Sequence, residues 1–152
     1  LRCLVGSEMC IRDSYDTTTK TSYTNASTDI GTTYYYKVKA VTAHKGRTVT
    51  SGYSDIVSIQ CRLAAPTVSI TSSTSGKPKL SWKAVTGADK YYVYRSTDGE
   101  NFAYWDSTTN LTYINGGAVK DTKYYYKVKA VSTANSGINS AQSSEVSITA
   151  KK

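Results

Sequence analysis

A chain of 152 residues is long enough for one large domain or two small ones. Its 14 tyrosines against a single phenylalanine favour β-structure, and it contains no apolar run long enough to span a bilayer. The net charge of +8 comes from dispersed lysines and arginines, which argues against a specific nucleic-acid site and favours, at most, anionic polymers such as cell-wall glycans.

The first 14 residues, LRCLVGSEMCIRDS, lack the alternation and the turn residues of the remaining chain. Within them, residues 4–14 resemble the translation of a sequencing-library adapter, so we predict that 1–14 is a non-native segment. The alternative is a genuine strand over CLVGSEMCI. We expect any targeting signal of the protein to lie upstream of this sequence.

An internal repeat organises the rest of the chain. The octet YYYKVKAV occurs at 34–41 and again 90 positions later at 124–131, and VSI recurs at 57–59 and 146–148. A repeat of this length is a whole domain rather than a solenoid unit. We therefore predict a truncated domain over 15–62, followed by a complete domain over 63–152.

Each octet has the pattern of a strand with one buried and one solvated face. In the second copy, the even-numbered residues from Tyr124 to Ala130 share the apolar face, and Tyr125, Lys127 and Lys129 share the other. A period of two with lysines on one side favours a two-sheet sandwich over a helix.

Turn residues divide the second unit into short segments, with Asp98-Gly99 as the strongest hairpin signal. The predicted strands occupy 67–71, 79–84, 91–95, 102–106, 111–114, 124–131 and 144–150. In the second of them, Leu80, Trp82 and Ala84 are expected to face inward. This arrangement predicts an all-β, immunoglobulin-like Greek-key sandwich of seven strands.

Three motifs resemble those of a fibronectin type III domain of the bacterial secreted or surface kind. They are Leu80-Ser81-Trp82, the run YYVYR at 91–95, and DTKY at 121–124. The resemblance implies that Trp82 is the core tryptophan and that Tyr91 and Val93 are structural. It also implies that Tyr124 forms a tyrosine corner, with Tyr34 as its counterpart in the first unit.

The first unit departs from this family pattern. It has nothing that matches Trp82, Tyr91 or Val93, so three of the seven strands are absent or replaced by residues 1–14. Small domains are only marginally stable, and we predict that residues 15–62 do not fold independently.

A candidate binding face follows from the resemblance, which makes the third and sixth strands neighbours in one sheet. Their outward side chains are Tyr92, Tyr94, Tyr125, Lys127 and Lys129. Aromatic rings flanked by lysines are suited to stack on sugar rings and to attract anionic polymers. The alternative is a set of ordinary cross-strand pairs on a wet sheet face.

Nothing in the sequence favours catalysis or a cofactor. The three cysteines and the single histidine, His44, fit neither a zinc pattern nor a disulfide framework. The carboxylates Asp98, Glu100 and Asp106 lie in a hairpin region and suggest turns rather than an acid/base pair. We predict a monomer with no enzymatic activity and no cofactor.

The resemblance therefore implies a non-catalytic spacer or adhesion module of a multidomain bacterial protein, located outside the cell or on its surface. Its expected partner is a cell-wall glycan or another protein. The alternative is an accessory carbohydrate-binding or linker module of a secreted glycan hydrolase. The domains that lie upstream would distinguish the two.

Overall fold

The computed structural model describes residues 2–4 and 16–151. The chain forms two compact units, Leu1–Cys61 and Arg62–Lys152, which are described separately below. Most of the adapter-like segment lies outside the described residues, so its non-native origin stays a prediction. Within the described part, no helix combines the length and apolarity needed to cross a membrane.

The described residues of the first unit form five strands. They are β1 (Arg2–Leu4), β2 (Thr33–Lys37), β3 (Val41–His44), β4 (Arg47–Thr50) and β5 (Val57–Gln60). β1, β2 and β5 form one antiparallel sheet with β2 in the centre, and β3 and β4 form a separate hairpin.

The second unit contains seven strands and one short 3₁₀ helix. The strands are β6 (Val68–Ser72), β7 (Pro78–Trp82), β8 (Lys90–Ser96), β9 (Ala103–Thr108), β10 (Thr112–Ile114), β11 (Lys123–Val131) and β12 (Val146–Thr149). Each lies within two residues of its predicted bounds.

These seven strands make two antiparallel sheets, in the orders β10-β7-β6 and β12-β11-β8-β9. The hairpin predicted at Asp98-Gly99 is formed by β8 and β9, which residues 97–102 connect. The predicted all-β, immunoglobulin-like sandwich is confirmed.

Alternating side chains of β11 fill the core of the second unit. Tyr126, Val128 and Ala130 are fully buried, and they lie in one cluster with Leu80 and Trp82 of the opposite sheet. Ala84, expected to face inward, is exposed because β7 already ends at Trp82.

The residues that the resemblance made structural are all buried. Trp82 and Tyr91 lie with ring centroids 5.3 Å apart, and Val93 is completely enclosed. The backbone N–H of Val119 donates to Tyr124 Oη at 3.0 Å, which closes a tyrosine corner. In the first unit, the N–H of Asp29 donates to Tyr34 Oη at 2.9 Å in the same way.

A pair of serines on the last connection is also repeated in both units. The N–H of Val128 donates to Ser143 Oγ at 3.0 Å and the N–H of Ala130 to Ser140 Oγ at 2.8 Å. In the first unit, Ser54 and Ser51 accept from the equivalent residues of the octet at 3.0 and 2.9 Å. These hydroxyls satisfy backbone donors where the chain beside the octet is not a regular strand.

The strands that contain the two identical octets nevertheless end at different positions of the octet. β11 runs without a break to Val131, because β8 pairs with it as far as Lys90. β2 stops at Lys37, where the pairing with β1 also stops, and Val41 starts the β3–β4 hairpin. Lys45 and Gly46 turn this hairpin with φ of 50° and 73°.

The lack of a pairing strand also explains why one segment of the first unit is not in a strand. Residues 22–24 are the counterparts of β10 in the repeat, but they are not in a strand. In the second unit β10 pairs with β7, and the described residues of the first unit contain no counterpart of β7. A strand without a partner leaves its backbone groups to solvent.

Candidate binding face

The five residues of the predicted binding face lie together on the outer side of the four-stranded sheet. Cross-strand pairing sets Tyr94 opposite Lys127 and Tyr92 opposite Lys129, while Tyr125 lies opposite Ser96. Each of the five side chains is half-buried. The alternation of β8 and β11 therefore produces a face on which tyrosine and lysine face each other across the strands.

Tyr104 of β9 joins this face, and sequence analysis had not included it. Its ring meets those of Tyr92 and Tyr94 edge-on, with centroids 5.3 and 6.2 Å away and planes at 83°. Tyr104 is 55% exposed, which makes it the most accessible of the three rings. Edge-to-face contacts of this kind hold aromatic rings in fixed orientations.

Lysine ammonium groups lie over several of the rings. Lys90 Nζ is 5.2 Å from the Tyr92 centroid, Lys123 Nζ is 4.8 Å from that of Tyr125, and Lys127 Nζ is 4.0 Å from that of Phe102. These are cation–π distances. We use the term Tyr/Lys face for Tyr92, Tyr94, Tyr104, Tyr125, Lys127 and Lys129.

The Tyr94 phenol of this face is uncharged at neutral pH. Burial raises the pKa of Tyr94, and the neighbouring Tyr92 and Tyr104 raise it further, while a hydrogen bond with Gln142 opposes the shift. The charge of the face is therefore that of its lysines. Neutral rings beside ammonium groups suit a ligand that offers both a flat surface and negative charge.

The carboxylate of Asp98 is hydrogen-bonded within the loop that borders this face. Its Oδ1 accepts from Ser96 Oγ at 2.5 Å and from the backbone N–H groups of Glu100 and Asn101, both at 2.8 Å. These hydrogen bonds hold the pKa of the Asp98 carboxyl well below its usual value, the Ser96 hydroxyl contributing most. The predicted role of this carboxylate as a turn residue agrees with its contacts.

Gly99 allows this loop to lie close to the ring of Tyr125. Its φ is 82°, and a Cβ built on it would lie 3.2 Å from Cε1 of Tyr125. A larger residue would be strained at this φ and would push against the ring. The loop therefore supports Tyr125 from one side.

A second group of aromatic contacts involves Arg95, Trp105 and Tyr126. Arg95 Cζ is 3.2 Å from the Trp105 ring centroid, and Asn115 Nδ2 donates to Tyr126 Oη at 2.7 Å. Burial raises the pKa values of both Tyr126 and Tyr113 to about 12, with the charge of Asp106 adding to the shift of Tyr113. Both phenols are structural, since Tyr126 lies in the core cluster and Tyr113 packs against it.

The raised pKa values predict a loss of stability at alkaline pH. An unfolded tyrosine ionises at its ordinary value of 10.0, whereas folded Tyr113 and Tyr126 hold their protons until about 12. The contribution of both phenols is complete below pH 10, and we expect it to fall as pH rises from 10 to 12. Urea unfolding across this range measures the loss.

Tyr113→Phe tests the assignment, because it removes one of the two ionisations. The slope of unfolding free energy against pH should be shallower in the variant between pH 10 and 12. An unchanged slope would contradict the assignment. Tyr53→Phe, which changes a tyrosine of the first unit, serves as the control.

No three His, Cys, Asp or Glu side chains are grouped as a metal site within residues 2–4 and 16–151. Cys61 carries a free, half-buried thiol in the first unit. Cys10 lies outside the described residues, and His44 is exposed at the tip of the β3–β4 hairpin. The absence of a cofactor stays a prediction.

The chain is similar to a known enzyme over part of its sequence, and to several solved structures. No protein-family profile matches the chain. A poly(3-hydroxybutyrate) depolymerase from Ralstonia pickettii is 39% identical over 69 residues, which is 45% of this chain and 13% of that enzyme. The chain thus spans about an eighth of the length of this relative.

Among solved structures, a Fn3-like protein from Clostridium thermocellum is 34% identical, with a TM-score of 0.50. The match covers 59% of this chain and 95% of that one. A beta-1,2-glucanase from Parabacteroides distasonis shares the fold at 24% identity and a TM-score of 0.53, covering 71% of this chain and 16% of the enzyme.

Proposed function

This chain belongs to the fibronectin type III family, and from that premise we propose that it is a non-catalytic module of a multidomain protein that is secreted or displayed on the cell surface. The observation that carries the proposal is the tandem repeat, because one domain-sized unit preceded by part of a second copy is typical of a string of modules. The small share of the depolymerase that the chain matches also supports it.

The chemistry of the second unit supports a non-catalytic role. Asp98 is held by its loop, and Asp89 accepts from the backbone N–H and the hydroxyl of Thr133 at 2.7 and 2.9 Å. The pKa of Asp89 lies below its usual value because of these hydrogen bonds. A general acid at neutral pH needs the opposite shift.

We propose further that the Tyr/Lys face contacts an extended polymer. Three tyrosine rings held edge-to-face offer stacking surface, and Lys127 and Lys129 add positive charge beside them. A cell-wall glycan combines sugar rings with negative charge and suits both features.

A second candidate function is an accessory module of a secreted polymer-degrading enzyme. The observation in its favour is the 39% identity, over 69 residues, to an enzyme named as a depolymerase. In that role the Tyr/Lys face would hold the polymer close to a catalytic domain elsewhere in the protein. Hydrophobic stacking would then matter more than charge.

Replacing Tyr92 and Tyr94 together by serine tests both candidates. We expect retention on insoluble peptidoglycan to fall about tenfold, since two stacking rings are lost. Ile114→Ser is the matched control, because it removes an exposed apolar side chain from the other sheet. Retention that is unchanged in the double variant rejects the site.

The contribution of the lysine charges to binding distinguishes the two candidate functions. Lys127→Gln with Lys129→Gln should weaken retention on peptidoglycan and reduce its dependence on salt. If poly(3-hydroxybutyrate) granules retain the protein instead, and the lysine variant binds them as well as the original chain, the enzyme-module function is favoured.

A further inference from the structure

The apolar side of the first unit's sheet is exposed where its counterpart in the second unit is covered. Val38, which shares the apolar face of the octet with Tyr36, is 41% exposed, whereas the matching residue Val128 is 0% exposed. The octets are identical, so the difference lies in what packs against them.

An open cavity lies against β2 and β5 of the first unit. It has a volume of about 460 Å³, and its walls include Tyr36, Val57, Ile59 and Cys61. Val57 and Ile59 are 63% and 62% exposed, while their counterparts Val146 and Ile148 are half-buried. We call Tyr36, Val38, Val57, Ile59 and Cys61 the open face.

The second unit shows which element covers this side. There β6 and β7 lie opposite β11 and β12, and Leu80 and Trp82 of β7 belong to the core cluster with Tyr126 and Val128. Val68 and Ile70 of β6 pack against that cluster, and β6 contacts β12. The cover is a two-stranded hairpin with an alternating apolar pattern.

The strand register of the two sheets is the same. Tyr34 lies opposite Ile59 as Tyr124 lies opposite Ile148, and Tyr36 lies opposite Val57 as Tyr126 lies opposite Val146. The open face therefore presents its side chains at the same spacing as the covered one. An element that fits the covered face finds the same arrangement on the open one.

We propose that the open face is a docking site for a β-hairpin with the alternation of β6 and β7, that is, a segment equivalent to residues 66–83. The hairpin would complete the first unit through the interface already established in the second unit, with its Leu-x-Trp motif entering the cavity beside Val57 and Ile59. In this way a strand pair would cover the open face as β6 and β7 cover its counterpart in the second unit.

A synthetic peptide of residues 64–85 tests the proposal on the full chain. Cys3→Ser and Cys10→Ser leave Cys61 as its lone cysteine. We expect excess peptide to slow the alkylation of Cys61 at least about tenfold, because a docked hairpin covers the thiol. A control peptide with Leu80→Asp and Trp82→Asp should leave the rate unchanged.

Val57→Asp in the chain shows where the peptide binds. We expect this substitution to abolish the protection of Cys61, since it places a charge on the open face. A rate that does not change with the original peptide overturns the proposal. Equal protection by both peptides overturns it too, because binding would then not depend on the Leu-x-Trp motif.

A second measurement separates docking on the open face from exchange into the second unit. A peptide with 5-fluorotryptophan in place of Trp82 should give a shifted ¹⁹F resonance with the original chain and none with the Val57→Asp chain. If the shifted resonance is equally strong with both chains, the peptide occupies the second unit and the proposal fails.

Discussion

Val128→Asp is expected to unfold the second unit, whereas the same substitution at Val38 should change the stability of the second unit by no more than about 0.5 kcal/mol. The two valines occupy the same place in identical octets, but Val128 is 0% exposed and Val38 is 41% exposed. An unpaired carboxylate in a closed core costs several kcal/mol, comparable with the roughly 5–15 kcal/mol that holds a domain together.

Urea unfolding followed by tryptophan fluorescence measures this difference. Both tryptophans of the chain, Trp82 and Trp105, belong to the second unit, so their emission reports on that unit alone. Val128→Thr provides a graded variant, with an expected loss of about 1–3 kcal/mol for burying a hydroxyl in place of a methyl group. Equal effects of aspartate at 38 and at 128 would show that the second unit's core does not depend on this position.

The faces of the strands could be predicted from sequence because alternation and burial have the same period. Once the even-numbered residues from Tyr124 to Ala130 are assigned to the apolar side, Tyr125, Lys127 and Lys129 must point outward. The fold followed from the same pattern together with the turn residues. The direction of a side chain and the position of a turn depend on residues that are close in sequence, so a single sequence is enough to predict them.

The ends of the strands could not be predicted, because they depend on partners elsewhere. The octet alone suggests equal strands, yet β2 ends at Lys37 and β11 at Val131. The difference arises from the length of the strand that pairs with each. Similarly, residues 22–24 repeat the sequence region of β10, but the described part of the first unit offers no counterpart of β7 to pair with them.

The membership of Tyr104 in the binding face was missed for a related reason. The alternation of FAYWD predicts a strand, but a β-bulge between Val93 and Tyr94 shifts its register against β8. Without that register, the residue opposite Tyr94 cannot be named. The paired serines, in contrast, had a signal that was available, since Ser51 and Ser54 recur as Ser140 and Ser143 with the same spacing.

The second large effect concerns the first unit as a whole. A fragment of residues 15–62 is expected to show no cooperative thermal transition, whereas a fragment of residues 62–152 should unfold in one. In the second unit, Leu80 and Trp82 close the core over Tyr126 and Val128. The first unit contains no match to this pair in its sequence, and truncating a single side chain of that size typically costs about 3–5 kcal/mol.

Circular dichroism measured on both fragments at the same concentration tests this expectation, and dilution excludes association as the source of any transition. The tyrosine corner at Tyr34 and the serine contacts of the octet are retained in the shorter fragment, but hydrogen bonds of this kind each contribute only about 0.5–1.5 kcal/mol. They cannot replace the buried apolar surface that β6 and β7 provide in the second unit. A sharp, concentration-independent transition of residues 15–62 would mean that the sheet of β2 and β5 is stable without that cover, and the open face would then be an ordinary solvated surface.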